Sequence, residues 1–365
     1  MTALRRLGRT GVRVSPLTLG TMNLGAWGNP DHAEGVQIIH AALDAGINVI
    51  DTADVYAQGE SEEIVGKALQ SPPTRRDNVI LATKFHAPIG DEPNHQGNSR
   101  RWITQAVEDS LRRLRTDYID LYQVHRPEPG TDLDETIGAL SDLVRAGKIR
   151  YFGTSTFSGA ELVESQWVAE RRGYVRPVTE QPPYSLLVRG IEREVLPVAE
   201  RYGIGVIPWS PLAGGWLSGR FDAAGRPVVA ELRKERAPGR FDPAHAANEA
   251  KVRAAQAFGE LARDAGIPLP HLALAFVLEH PAISSAIIGP RTLEQLGSQL
   301  DTADLRLSQD ILDRIDEIVP PGTNVNALDA GYLPPALAEP AQRRRSHGNR
   351  SAGTADRFAT VAAND

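Results

Sequence analysis

Six side chains stand at or just beyond the ends of three short apolar runs: Asp51, Asp54 and Tyr56 with Asn48–Ala53, Lys84 and His86 with Val79–Phe85, and His125 with Tyr118–His125. Lys84 is the hardest to dismiss. Its run, Val79-Ile80-Leu81-Ala82-Thr83-Lys84-Phe85, is otherwise uncharged, and a charge there must find a partner or be neutralised. Asp51 can be that partner. A lysine kept charged beside Tyr56 favours tyrosinate, and so lowers a phenol pKa that starts near ~10. Such a tyrosine can deliver a proton to a carbonyl oxygen near neutral pH. His125 can hydrogen-bond the same oxygen and stabilise a developing alkoxide. Carbonyl reduction needs that proton at oxygen and a hydride at carbon; no side chain supplies hydride, so the set implies a nicotinamide cofactor. Each residue also has a plainer reading: a strand-end Asp caps a helix, Tyr56 packs, and His125 before Arg126-Pro127 caps a turn. A strand-borne Lys84 could also serve as a Schiff-base nucleophile, as in an aldolase.

The elements that must position these groups alternate in type. Candidate strands are Leu17–Met22, Asn48–Ala53, Val79–Phe85, Tyr118–His125, Arg150–Thr154, Val178–Gln181, Gly205–Pro208 and Ala286–Gly289, each short and apolar, as strands buried on both faces are. Helical stripes lie between them, for example Ile103, Val107, Leu111 and Leu114. Asp31 with Glu34, Ser158 with Glu161, and Thr292 with Gln295 have capping-box spacing, and Ala45-Gly46 and Ala146-Gly147 mark helix ends. Strands separated by helices must pair in parallel. The glycine fingerprint of a doubly wound sheet is missing after the early strands. The expected fold is therefore an α/β (β/α)8 TIM barrel over residues 1–319, a single domain with chemistry at the C-terminal ends of its strands. An N-terminal hairpin precedes it, and the irregular stretch Ala213–Ala247 after the seventh strand reads as a functional loop. Residues 320–365, with Arg343-Arg344-Arg345, lose periodicity and are expected to be a disordered tail. Trp102 and Trp167, on helices, are expected in the core.

Composition narrows the function further. The 365 residues include no cysteine and carry a formal net charge of -6. A disulfide scaffold and a cysteine-ligated zinc or iron–sulfur site are thereby excluded, and no metal site is expected. The acidic balance argues against nucleic acid or anionic membranes as partners. No run of 18 apolar residues is present, and Arg9 and Arg13 interrupt any signal-like start. A cytoplasmic protein acting on a small-molecule carbonyl substrate is expected, with oligomeric state left open. Among 40 basic residues only Lys67, Lys84, Lys148, Lys234 and Lys251 are lysine, so a lysine inside an apolar run stands out.

The sequence resembles the aldo-keto reductase superfamily, in its bacterial and potassium-channel-β-subunit-like branch. The likeness is carried by Ile50-Asp51-Thr52-Ala53-Asp54-Val55-Tyr56, Ala82-Thr83-Lys84, Leu111 through His125, Gly153-Thr154-Ser155, Trp209-Ser210-Pro211-Leu212 and Ile288-Gly289-Pro290-Arg291. It implies a tetrad of Asp51, Tyr56, Lys84 and His125 with Tyr56 as proton donor, and NADP(H) across the barrel mouth. Gly20, Thr21 and Met22 would border the cofactor, and Asp51 would reach the nicotinamide ribose. Ser155 and Gln181 would hold the carboxamide, and Trp209 would stack on the ring. Ser210, Pro211, Leu212, Gly214 and Leu217 would wrap the pyrophosphate, with Arg220 as charge partner. Gly289, Arg291, Gln295 and Gln299 would form the adenosine site, where Arg291 and a helix N-terminus favour a 2′-phosphate. Ser155-Thr156 replaces the family's usual Ser-Asn, and Ser298-Gln299 its Glu-Asn. Trp27, Tyr56, His86 and His125 would line the substrate pocket, while Asn94, His95, Gln96 and Asn98 read as a solvated loop. The branch also implies an alternative, a cofactor-binding regulatory subunit with little turnover.

Overall fold

The computed structural model describes residues 3–70 and 76–344. The chain opens with a hairpin of β1 (Arg5–Arg6) and β2 (Arg13–Val14), paired antiparallel. Eight parallel strands follow: β3 (Leu17–Gly20), β4 (Val49–Asp51), β5 (Ile80–Phe85), β6 (Ile119–Val124), β7 (Ile149–Thr154), β8 (Thr179–Glu180), β9 (Gly205–Val206) and β10 (Ala286–Ile288). Each overlaps one of the expected apolar runs. They form one sheet in the order β10-β3-β4-β5-β6-β7-β8-β9. Its edges are also tied, Val206 N donating to Ala282 O (3.1 Å), Ser284 N to Val206 O (2.8 Å) and Ile287 N to Pro208 O (2.9 Å). The sheet thus curls onto itself as a (β/α)8 barrel does.

The connections are helical: α1 (His32–Asp44), α2 (Glu60–Gln70), α3 (Arg100–Leu114), α4 (Leu133–Arg145), α5 (Gly159–Arg172) and α6 (Val195–Tyr202). Beyond β9 come the short α7 (Glu231–Arg236) and α8 (Pro238–Phe241), then α9 (Glu249–Asp264) and α10 (Leu269–Glu279). After β10 lie α11 (Leu293–Leu300) and α12 (Gln309–Ile318). The capping signals act as read in part. Asp31 accepts from Ala33 and Glu34 N, and Ser158 and Glu161 form the full reciprocal box. Thr292 caps α11 alone, because the Gln295 side chain accepts from Arg291 N instead. Among the described residues, no single helix is long and apolar enough to cross a membrane.

Period-2 alternation divides each strand between two cores. Val49, Ala82, Leu121, Val178, Ile207 and Ile287 gather with Leu7 and Val14 of the hairpin in one small cluster. Ile50, Leu81, Tyr122 and Phe152 face the other way, into the larger cluster shared with the helices. Two residues beyond the interior positions stand Asp51, Lys84, Gln123 and Trp209, and His125 follows directly after β6. The same alternation that fills the barrel therefore aims these groups inward at the C-terminal ends of the strands.

Two placements differ from the sequence expectation, and a second buried lysine joins Lys84. Residues 320–330 are held in place: Arg189 N donates to Thr323 O (2.9 Å) and Val325 N to Leu187 O (3.0 Å). Asp329 pairs with Lys251 (2.7 Å) and Arg240 (3.0 Å). The compact unit is accordingly Met1–Ala330, and Gly331–Asp365 forms a second, in which α13 (Pro335–Ala338) and α14 (Pro340–Arg343) are single turns. Arg345 and the rest of the tail lie outside the described residues. Trp102 is in the core, but Trp167 is 55% exposed, with the Arg171 guanidinium 4.7 Å over its ring. Lys251, in no apolar run, is as deeply buried as Lys84 because Asp329 and Arg240 O (2.7 Å) take its charge.

Candidate active site

Lys84 is wholly buried and its ammonium is fully engaged. Nζ lies 2.6 Å from Asp51 Oδ2, 2.6 Å from Thr52 O and 3.4 Å from the Tyr56 hydroxyl. Asp51 Oδ1 in turn accepts from Gln181 Nε2 (2.8 Å) and, more weakly, Gln123 Nε2 (3.4 Å). Burial pulls the Lys84 pKa down, but Asp51 and then Tyr56 more than restore it, leaving it above the usual lysine value. Lys84 is a cation.

Tyr56 follows β4 on a tight turn whose next two residues, Ala57 (φ 50) and Gln58 (φ 57), are left-handed without being glycine. Such strain persists only where surrounding contacts hold it. The Tyr56 ring meets His125 edge-on (centroids 5.8 Å, 77°) and Trp27 at 6.2 Å. Burial pushes the phenol above its ordinary pKa; Lys84 pulls it back, and Asp51 pushes it up again. The net direction is upward, opposite to the expectation from sequence. The main reason is burial, which Lys84, lying nearer Asp51 than Tyr56, offsets only in part. Burial, then the cations Lys84 and Arg126, hold His125 well below the usual histidine pKa. Its imidazole is neutral, and its buried Nδ1 has no partner among the described residues.

The rim comes from loops. His86 has φ 138, a conformation rare outside glycine, and its Nδ1 lies 3.0 Å from Asn98 Oδ1. Asn98 is buried rather than solvated. It braces His86 while donating to Arg126 O (3.0 Å) and taking the Glu128 carboxylate on its backbone N (2.6 Å). His95 stacks on Trp102 instead of facing the site. The Trp27 loop is held by Glu60, which accepts from Ala26 N (2.7 Å) and contacts His32 Nε2 (2.5 Å).

The residues assigned to a cofactor fall into three groups. Ser155 and Gln181 meet, Ser155 Oγ donating to Gln181 O (2.7 Å), beside a turn in which Thr156 has φ 60. Beneath that turn the buried Glu180 carboxyl accepts from Thr154 Oγ1 (2.5 Å) and Phe157 N (3.2 Å), and burial pushes it up to about 8. Trp209 stands at the mouth with its buried Nε1 unpartnered among the described residues. Gly20, Thr21 and Met22 end β3 nearby. Gly20 must be glycine because a Cβ there would lie 2.5 Å from Ile287 Cγ2, and Thr21 Oγ1 is already bonded to Asp51 O and Ser61 Oγ.

The second group is the segment after β9. Ser210 (φ 57), Ala213 (φ 50) and Gly214 (φ 69) turn it sharply around Pro211 and Leu212. Leu217 is wholly buried in the core and presents no surface to a ligand, and Arg220 is exposed. The cation brought inward is Arg233 of α7, whose electrostatic neighbours are Arg291, Arg240 and Arg236; burial and these like charges hold it below the usual arginine pKa. Its nearest polar partner is Asn23 Oδ1 (3.5 Å), and no carboxylate pairs with it among the described residues. The basic run Arg233-Lys234-Glu235-Arg236 is the only trace of this in the sequence.

The third group surrounds α11. Asn23 Nδ2 donates to Gly289 O (2.7 Å), Asn29 Nδ2 to Arg291 O (2.9 Å), and the buried Gln299 Oε1 is left without a partner among the described residues. Arg233 and Arg291, in no ion pair among the described residues, are donors that fit a dinucleotide's phosphates, while the orphaned Gln299 Oε1 is an acceptor and the Trp209 indole a plate for its two ring ends.

With that geometry in hand, comparison with known proteins is direct. The aldo/keto reductase family model matches residues 16–320. The chain is 40% identical over 323 residues to the uncharacterized oxidoreductase YrpG of Bacillus subtilis, covering 86% of this chain and 95% of that one. It is 35% identical over 326 residues to a probable voltage-gated potassium channel subunit beta of rice, with 86% and 96% covered. Against the aldo-keto reductase AMT2 of Alternaria alternata it is 34% identical over 344 residues, with 86% and 91% covered. The eight-stranded parallel sheet, the strand-end residues and these matches agree: the chain belongs to the aldo/keto reductase family of oxidoreductases.

Proposed function

We propose that this protein is an NADP(H)-dependent reductase that converts aldehydes or ketones, sugar-derived carbonyls among them, to alcohols. The observation that carries the proposal is the Asp51–Lys84–Tyr56 arrangement, a buried cation 3.4 Å from a phenol beside a neutral imidazole. The bound dinucleotide supplies the hydride that the carbonyl carbon receives. Tyr56 gives its proton to the carbonyl oxygen, so that C=O becomes an alcohol, and Lys84 stabilises the tyrosinate left behind. A Tyr56 pKa raised by burial suits this step, because the phenol stays protonated until the oxygen takes the proton. His125, neutral, offers the oxygen a hydrogen bond and fixes the carbonyl's direction. Ser155 and Gln181 would hold the carboxamide and Trp209 the ring face. Arg233 and Arg291 would hold the phosphates, with Arg291 at the 2′-phosphate. Trp27, His86 and the aromatic faces of Tyr56 and Trp209 would receive the substrate.

The channel-subunit relatives favour a second reading, a nucleotide-binding regulator with little turnover. Following NADPH oxidation over a panel of aldehydes and ketones, repeated with NADH, separates the two. The reductase reading expects turnover of several carbonyls with NADPH preferred. NADPH binding without turnover of any carbonyl would support the regulator.

A further inference from the structure

Beside the reacting residues lies one cation with no assigned task. Arg126 directly follows His125 at the end of β6 and is half-buried. Its Nη1 donates to His125 O (2.6 Å) and reaches Ser155 Oγ at 3.5 Å. Its own carbonyl is pinned by Asn98, the residue that also braces His86. No carboxylate pairs with its guanidinium, and its Nε and Nη2 donate to no acceptor among the described residues. The acid whose charge acts on it is Glu180, which burial keeps protonated near neutral pH. Its contacts with His125 O and Ser155 Oγ place the cation beside the tetrad, and its charge acts on the Tyr56 hydroxyl.

A surplus charge here costs stability unless something anionic joins it in use. With Nη1 spent on the backbone, the remaining Nε and Nη2 hydrogens form the parallel edge of the guanidinium, the edge that takes a planar carboxylate with two hydrogen bonds. We propose that Arg126 is a specificity-determining substrate residue that binds a carboxylate on the carbonyl substrate, so that oxo-acids and carboxylated aldehydes are preferred. This rests on the reductase reading and narrows its substrate class. His125 and Arg126, adjacent in sequence, would then divide the substrate, one taking the reacting oxygen and the other the far anion.

The test compares 4-carboxybenzaldehyde with 4-methylbenzaldehyde, of similar size, in the wild type and in Arg126→Met and Arg126→Lys. The wild type is expected to favour the carboxylated aldehyde in kcat/KM by at least about tenfold, the scale of a charge-assisted pair. Arg126→Met should erase that ratio, and Arg126→Lys, which keeps the charge but loses the fork, should restore only part of it. Equal losses for both aldehydes, or a loss seen only in the KM for NADPH, would overturn the proposal, the latter making Arg126 a cofactor contact. A preference for glyceraldehyde 3-phosphate over glyceraldehyde without one for the carboxylate would overturn the carboxylate assignment. Benzoate binding to the NADPH-loaded protein, read by tryptophan fluorescence, keeps the two readings distinguishable if no carbonyl is reduced. Binding lost in Arg126→Met supports the subsite in the absence of turnover, and no benzoate binding to the wild type contradicts it.

Discussion

At the scale of single residues, charge placement decides what Tyr56 can do. The phenol is raised by burial and only partly relieved by Lys84, whose nearer partner is Asp51. A proton donor with a raised pKa is fully loaded at neutral pH, so reduction should be level there and fall only as pH climbs through the Tyr56 titration. Replacing Lys84 by Met removes the charge that draws this pKa down. The alkaline limb of kcat/KM should then move to still higher pH. The plateau should drop at least about tenfold, toward the ~10²–10⁴ that a positioned proton donor contributes. A pH–rate profile of Lys84→Met, on protein shown to be folded by circular dichroism, checks both. An alkaline limb shifted downward would show that Lys84 does not govern Tyr56.

At the scale of elements, the strand ends hold strained turns, some of them braced by a buried polar group. The clearest case is Glu180 on β8, under the Ser155–Phe157 turn. Its folded pKa of about 8 lies well above its ordinary value of 4.5. Between those two values the unfolded chain gives up a proton that the folded chain keeps. Stability linked to Glu180 is therefore full below about 4.5 and lost as pH rises toward 8. Glu180→Gln removes the titration while keeping the shape. Its stability relative to the wild type should increase by about 1–3 kcal/mol between pH 5 and pH 8 in urea unfolding. A difference that stays constant with pH would mean that the carboxyl remains ionised in the folded protein.

At the scale of the whole molecule, the legible and illegible parts of the sequence differ in physical cause. The eight strands could be read because a strand buried on both faces is a continuous apolar run, and Asp51, Lys84 and His125 could be found because they interrupt or end such runs. Caps such as Ser158–Glu161 are local, and so also legible. The segment 320–330 was not, because it is fixed by hydrogen bonds and ion pairs to partners more than 70 residues away: Thr323 with Arg189, Asn326 with Asn248, Asp329 with Lys251 and Arg240. Arg233 was missed for the same reason. Its placement depends on Arg291 and Asn23 converging from elsewhere in the chain, whereas Arg220, the charge partner that the resemblance implies, is exposed. Trp167 shows the converse error, an aromatic assigned to the core by type when its place on α5 faces outward. In the proposed reaction one hydroxyl, Tyr56, held by this fold beside a buried cation, delivers the proton. The most direct test of this step is Tyr56→Phe, with NADPH affinity by fluorescence titration and aldehyde-dependent NADPH oxidation measured on the same preparation. Affinity should stay within about threefold of wild type and turnover fall by ~10² or more; turnover within about threefold of wild type would rule out Tyr56 as the proton donor.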